Sequence, residues 1–112
     1  MQYILDDDGE PQPCEDLQRW AVWMSTADRI VLRNAFGPLI VSTVFLGLDH
    51  RHWDGGDPVL WETMVFDVHD CCLDEHTRRY TSKLDALDGH REVCVAVEQL
   101  ATTGNKKFSA EK

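Results

Sequence analysis

Apolar and polar positions recur along this chain with periods that divide it into six elements and one further short edge strand. Gln2 to Leu5 alternates polar and apolar residues, the period of a strand with one covered face. Residues 6–13 hold three Asp, one Gly and two Pro, and read as a turn or loop. Pro13 suits the first turn of a helix, and Glu15 and Asp16 favour its positive end. Leu17, Trp20, Ala21, Met24 and Ala27 follow at helical spacing, with Trp23 to one side. Ile30 to Phe36 and Leu39 to Leu48 read as strands joined by a tight turn at Gly37-Pro38, and Val59 to Phe66 reads as the next. Asp67 to His76 is polar and irregular, and Thr77 to Tyr80 adds a short edge strand. Thr81 or Ser82 caps a final helix, with Asp85 placed after Ser82 as in a capping box. Leu84, Leu87, Cys94, Val97 and Ala101 form its apolar stripe, and Gly104 is its stop signal.

The order is β-α-β-β-β-(β)-α. Short connections between strands predict an α+β fold: an antiparallel sheet of about four to five strands with two helices packed on one face. Residues 1–104 form one domain, and 105–112 read as a frayed tail. The central strand is apolar on both sides. Leu39, Val41 and Phe45 point one way; Ile40, Val44, Leu46 and Leu48 point the other. Two helices cover only one face. The surplus face predicts a homodimer, unless the Trp-bearing loop before Val59 folds back over it.

Composition narrows the class. At 112 residues, 43% hydrophobic, with four Trp and four Phe, one domain can bury a core without staples. No apolar run reaches the ~18–20 residues of a membrane span. The N-terminus has neither the basic region nor the long apolar segment of a secretory signal, so a cytoplasmic protein is expected. Four cysteines without a C-x-x-C pair fit neither a zinc pattern nor, in a reducing compartment, a disulfide framework. Cys14 and Cys94 fall on the helices as small buried hydrophobes. Cys71 and Cys72 lie in a loop, where metal or redox chemistry is a further option. Twenty acids against eleven bases give a net charge of −9. That charge disfavours direct nucleic-acid binding. It fits a solubilising surface, or an acidic face that docks on a basic partner, even as a nucleic-acid mimic.

The chemical candidates gather at the end of the central strand. Asp49, His50 and His52 bring three proton-active groups into four residues. Two imidazoles at i and i+2 share one side of a strand, and with Glu62 as third ligand they would suit a divalent metal. The same residues allow acid–base chemistry, with His50 as proton carrier and Asp49 or Glu62 orienting it. Thr63, Arg78 and Tyr80 would then contact a bound ligand. There is no G-x-S-x-G and no phosphate-binding glycine loop. The plainer reading is that Asp49 and His50 bond their own loop backbone. His90 falls inside the apolar stripe of the last helix, beside Gly89, which lets the helix approach the sheet closely. A buried His must be hydrogen-bonded, so it needs Glu62, Thr43 or Tyr80. Convergence of His50, Glu62 and His90 would mark an active site. No cofactor is required by the sequence.

The segments YILDDDGEPQPCEDLQRWAVWMSTADRIV, STVFLGLDH with GGDPVLWETMVF, and RRYTSKLDALDGH carry a resemblance. Over roughly residues 3 to 95 the chain resembles a family of small hypothetical proteins of tailed bacteriophages and bacterial prophages. Asp49, His50, Glu62, Thr63, Tyr80 and His90 match that pattern; His52, Cys71-Cys72 and the tail beyond Ala101 fall outside it. The resemblance carries over no catalytic residues. It implies a phage-encoded accessory protein acting in the host cytoplasm. The acidic surface, the surplus apolar sheet face and the missing nucleophile motifs favour one that binds a host protein or a small nucleotide signal and counters host defence. A small hydrolase or phosphodiesterase at Asp49, His50 and Glu62 is the alternative, and a virion or assembly component the third.

Overall fold

A computed structural model describes the backbone of residues 1–51, 56–68 and 76–111, with side chains as far as residue 100. Its elements are β1 (Tyr3–Leu5), β2 (Pro11–Pro13), α1 (Leu17–Thr26), β3 (Ile30–Phe36), β4 (Leu39–Phe45), β5 (Trp61–Asp67), β6 (Arg78–Tyr80) and α2 (Lys83–Glu111). The expected α+β class holds: two helices accompany two antiparallel sheets, a ribbon β1-β2 and a four-stranded sheet β3-β4-β5-β6. Among the described residues, no helix is long and apolar enough to cross a membrane.

The order differs from the expected one at the N-terminus. Residues 11–13 form a strand rather than a loop, with Tyr3 opposite Pro13 and Leu5 opposite Pro11. Proline lacks the N–H a central strand needs, but a two-stranded ribbon has an outer edge that tolerates it. Asp6 closes the hairpin: its carboxylate accepts the backbone N–H groups of Asp8 and Glu10, each at 2.9 Å. Helix α1 therefore starts later than Pro13. Asp16 is the N-cap, accepting from Gln18 N at 3.0 Å and Arg19 N at 3.1 Å. Cys14 is buried as expected, but in the connection before the helix, where its N–H donates to Gln2 O at 2.9 Å.

The register of the main sheet decides what each side chain can reach. Val44 lies opposite Glu62, and Thr43 opposite Thr63. Leu39, Val41, Thr43 and Phe45 of β4 are buried, with Thr63 and Val65 of β5 beside them. Helix α2 packs on this face, against all four strands. Trp23 of α1 meets Phe45 from the same side, edge to face at 5.8 Å. The other face carries Ile40, Val44, Met64 and Phe66, all half-buried. Strand β4 ends at Phe45 instead of Leu48 because Gly47 turns the chain at φ +77°. From there Leu48 bridges to Gln2, which ties the ribbon to the sheet. A Cβ at Gly47 would overlap the Met24 sulfur, so glycine is required twice over.

Helix α2 starts at the expected cap, with Asp85 N donating to Ser82 Oγ at 3.1 Å. Its buried stripe is rotated from the expected one. Ala86, Gly89, His90, Val93 and Val97 face the sheet, while Leu84 is 75% exposed and Cys94 is half-buried. The helix runs through Gly104 to Glu111; a helical glycine costs only about 1 kcal/mol and does not by itself stop one. The small residues in the stripe reflect close approach. A Cβ on Gly89 would overlap the ring and hydroxyl of Tyr80 on β6. Gly89→Ala is therefore expected to destabilise by about 1–3 kcal/mol through overpacking, despite the better helix propensity of alanine. Urea unfolding of a double-mutant cycle with Tyr80→Ala checks it: the cost should largely vanish when the ring is absent.

Candidate functional site

The face between sheet and α2 holds a line of polar groups. Tyr80 OH donates to Thr63 Oγ1 at 3.0 Å. Thr63 Oγ1 lies 2.5 Å from Thr43 Oγ1, which lies 2.7 Å from His90 Nδ1. His90 Nε2 reaches Asn34 Oδ1 at 2.8 Å. One assignment satisfies every member: Tyr80 donates to Thr63, Thr63 to Thr43, Thr43 to Nδ1, and Nε2–H to Asn34. His90 must then be neutral, with its proton on Nε2. Burial, and secondarily the neighbouring Arg91 charge, push its pKa below the usual 6.5. Burial likewise raises the Tyr80 hydroxyl, against the Thr63 hydrogen bond that lowers it. Among the described residues, no buried side-chain nitrogen or oxygen lacks a partner.

This arrangement suits structure better than turnover. His90 is 1% exposed and both ring nitrogens are engaged. Of the three expected partners, Thr43 bonds it directly and Tyr80 joins through Thr63. Glu62 does not join: it pairs with Val44 on the opposite face of the sheet, where Arg79 Nε donates to its Oε2 at 2.8 Å. The fifth member, Asn34, is not among the partners expected from the sequence. Its only signal is a polar pair, Arg33-Asn34, within a strand-like run, with Asn34 opposite the inward Val41.

Asp49 is occupied within its own loop. Its Oδ1 accepts from Arg51 N and Val59 N, each at 3.0 Å, and its Oδ2 lies 2.6 Å from Arg51 Nε. Burial works to raise this carboxyl, but the two backbone N–H groups and the guanidinium outweigh it and hold it below the ordinary range. Arg51 also donates to Gly56 O at 2.8 Å, so the pair clasps both ends of the loop. His50 donates its backbone N–H to Val59 O at 3.0 Å. Arg78 is exposed, 3.7 Å from Glu92 of α2.

His52, Cys71 and Cys72 lie outside the described residues. Among the described ones, no three His, Cys, Asp or Glu side chains gather as a metal-ligand set. The structure thus brings Thr63, Tyr80 and His90 together, keeps Asp49 and His50 at the loop, and sends Glu62 to the other face. Comparison with family models, curated protein sequences and solved structures gave no match for this chain.

Proposed function

We propose that this chain is a binding protein rather than an enzyme, an accessory factor that engages a host protein in the cytoplasm of a phage-infected cell. The observation that carries the reading is the commitment of three of the candidate proton-active groups: Asp49 to its loop clasp, Glu62 to Arg79, and His90 to Thr43 and Asn34. A general base must lie within reach of substrate, whereas His90 is 1% exposed with both ring nitrogens engaged, and Asp49 and Glu62 are each held by an arginine. The phage context comes from the sequence resemblance and stands or falls with it.

A protein partner is preferred to a nucleotide signal. The groove between the β1-β2 ribbon and α1 is lined by three Asp and a single Arg, a field that repels phosphate. Two copies of the chain, joined through Ile40, Val44, Met64 and Phe66, complete the proposal. Native purification from infected cells, followed by reconstitution from pure components, tests it. One host protein bound by two copies of the chain is the expected result. Recovery of no host protein would overturn the proposal, and so would phosphodiester hydrolysis by the pure protein that His50→Ala abolishes.

A further inference from the structure

The first 28 residues carry seven acids and one base, so six of the chain's nine net negative charges fall in its first quarter. The fold brings three of these acids, Asp6, Asp7 and Asp16, onto one surface. The β1-β2 ribbon and α1 flank an open groove of about 860 Å³. Leu5, Val22 and Trp23 contribute apolar lining, and Asp6, Asp7 and Asp16 contribute charge.

Two of these carboxylates are fixed in place. Asp6 is held by Asp8 N, Glu10 N and the Gln12 amide, and Asp16 by the first turn of α1. Their field is therefore set before anything binds, which lowers the ordering cost of association. The apolar part is accessible as well. Helix α1 has no buried residue, and Val22 is 63% exposed. Val22 therefore leaves an apolar side chain free to be covered beside these carboxylates.

We infer that this groove docks a basic, amphipathic segment of a partner protein, its apolar side chains against Val22 and Trp23 and its Lys or Arg side chains against Asp6 and Asp7. The inference rests on the binding reading above and adds the surface and the chemistry of the partner. Anionic ligands meet the wrong field. A bare metal ion finds no three-ligand set among the described residues and makes no use of the apolar lining. A second copy of the chain offers the same acidic surface, and its adjacent bases are Arg78-Arg79, which already pair with Glu92 and Glu62, and Lys106-Lys107.

The test uses a synthetic amphipathic helix of Lys and Leu, its Glu-and-Leu counterpart, and a peptide of residues 101–112, each titrated into the full chain. Backbone amide NMR shifts report the location. The Lys/Leu helix should bind, shift residues of β1, β2 and α1, and lose affinity about tenfold on Asp7→Lys with Val22→Arg. Asp88→Lys with Val95→Arg places the same charge change on the exposed side of α2 and should cost less than about twofold, the effect of bulk attraction alone. Equal losses in the two variants would overturn the inference, and so would shifts confined to Ile40, Val44 and Phe66. Binding of the 101–112 peptide alone would overturn it in favour of self-association. Loss of all peptide binding beside a retained host protein would reject the groove and leave the binding reading intact.

Discussion

Replacing His90 with alanine is expected to lower stability by about 2–5 kcal/mol, through the cavity it leaves and the hydrogen bonds it strands. Thr43 would lose its acceptor and Asn34 its donor. The pH dependence separates this role from simple packing. The folded-state pKa of His90 lies below its unfolded value of 6.5, so between the two the unfolded chain binds the extra proton. Its contribution to stability is full above pH 6.5 and is lost as the pH falls toward the folded pKa. Protonation would put a donor on Nδ1 facing the Thr43 hydroxyl, and the hydroxyls of Thr43, Thr63 and Tyr80 would all have to reverse. Other groups face His90 as well: Arg91 and Cys94 on α2, Asn34 on β3, the two threonines, and Tyr80 on β6, with Arg78 and Glu92 paired nearby. The carboxylates Asp6 and Asp49, held below 3.8, act only in a more acidic window. Chemical denaturation of wild type and His90→Gln across this range is the measurement. The difference between them should narrow as the pH drops below 6.5, and a constant difference would reject a neutral buried His90.

What the sequence showed of this line, and what it hid, has a physical explanation. His90 was visible because a titratable residue inside an apolar stripe needs partners, and Gly89 was visible because a glycine in mid-helix needs a reason. Both expectations describe demands that a residue makes on its surroundings. Glu62 was ambiguous because β4 is apolar on both sides, so alternation could not choose the register. The choice falls to the Thr43–Thr63 pair, whose hydroxyls bond across the strands only when Val44 faces Glu62. The rotated stripe of α2 has the same origin. Hydropathy favoured Leu84 and Leu87, while close packing selected Ala86 and Gly89, and closeness is a property of the assembled fold. The ribbon strand Pro11–Pro13 was hidden by residues that usually break strands and are tolerated here because each has an unpaired edge. The acidic groove was half visible: the charges were counted, but their convergence on Val22 and Trp23 required the hairpin.

Phe45→Ala should be the most damaging single substitution, at about 3–5 kcal/mol. Phe45 is completely buried, with Trp23 at 5.8 Å on one side and Trp61 at 5.6 Å on the other, both edge to face. Such pairs add about 0.5–1.5 kcal/mol each beyond their burial. A domain of this size has about 5–15 kcal/mol in total, so the variant should sit near the unfolding threshold. The effect should also be directional. Helix α1 buries none of its own residues, and its hold on the sheet runs through Trp23 on Phe45, Trp20 Nε1 on Gly47 O at 3.0 Å and Met24 against Gly47. Losing the phenyl ring removes the aromatic one of these anchors. Amide hydrogen exchange in α1 should then rise more than in β4 and β5, with Phe45→Leu intermediate because it refills most of the space. Uniform loss of protection across the sheet and both helices would show that α1 is held by something other than this stack. Trp23 joins the two halves of the argument, since it touches Phe45 in the core and lines the acidic groove. Occupation of the groove by the basic segment inferred above should therefore slow amide exchange in α1.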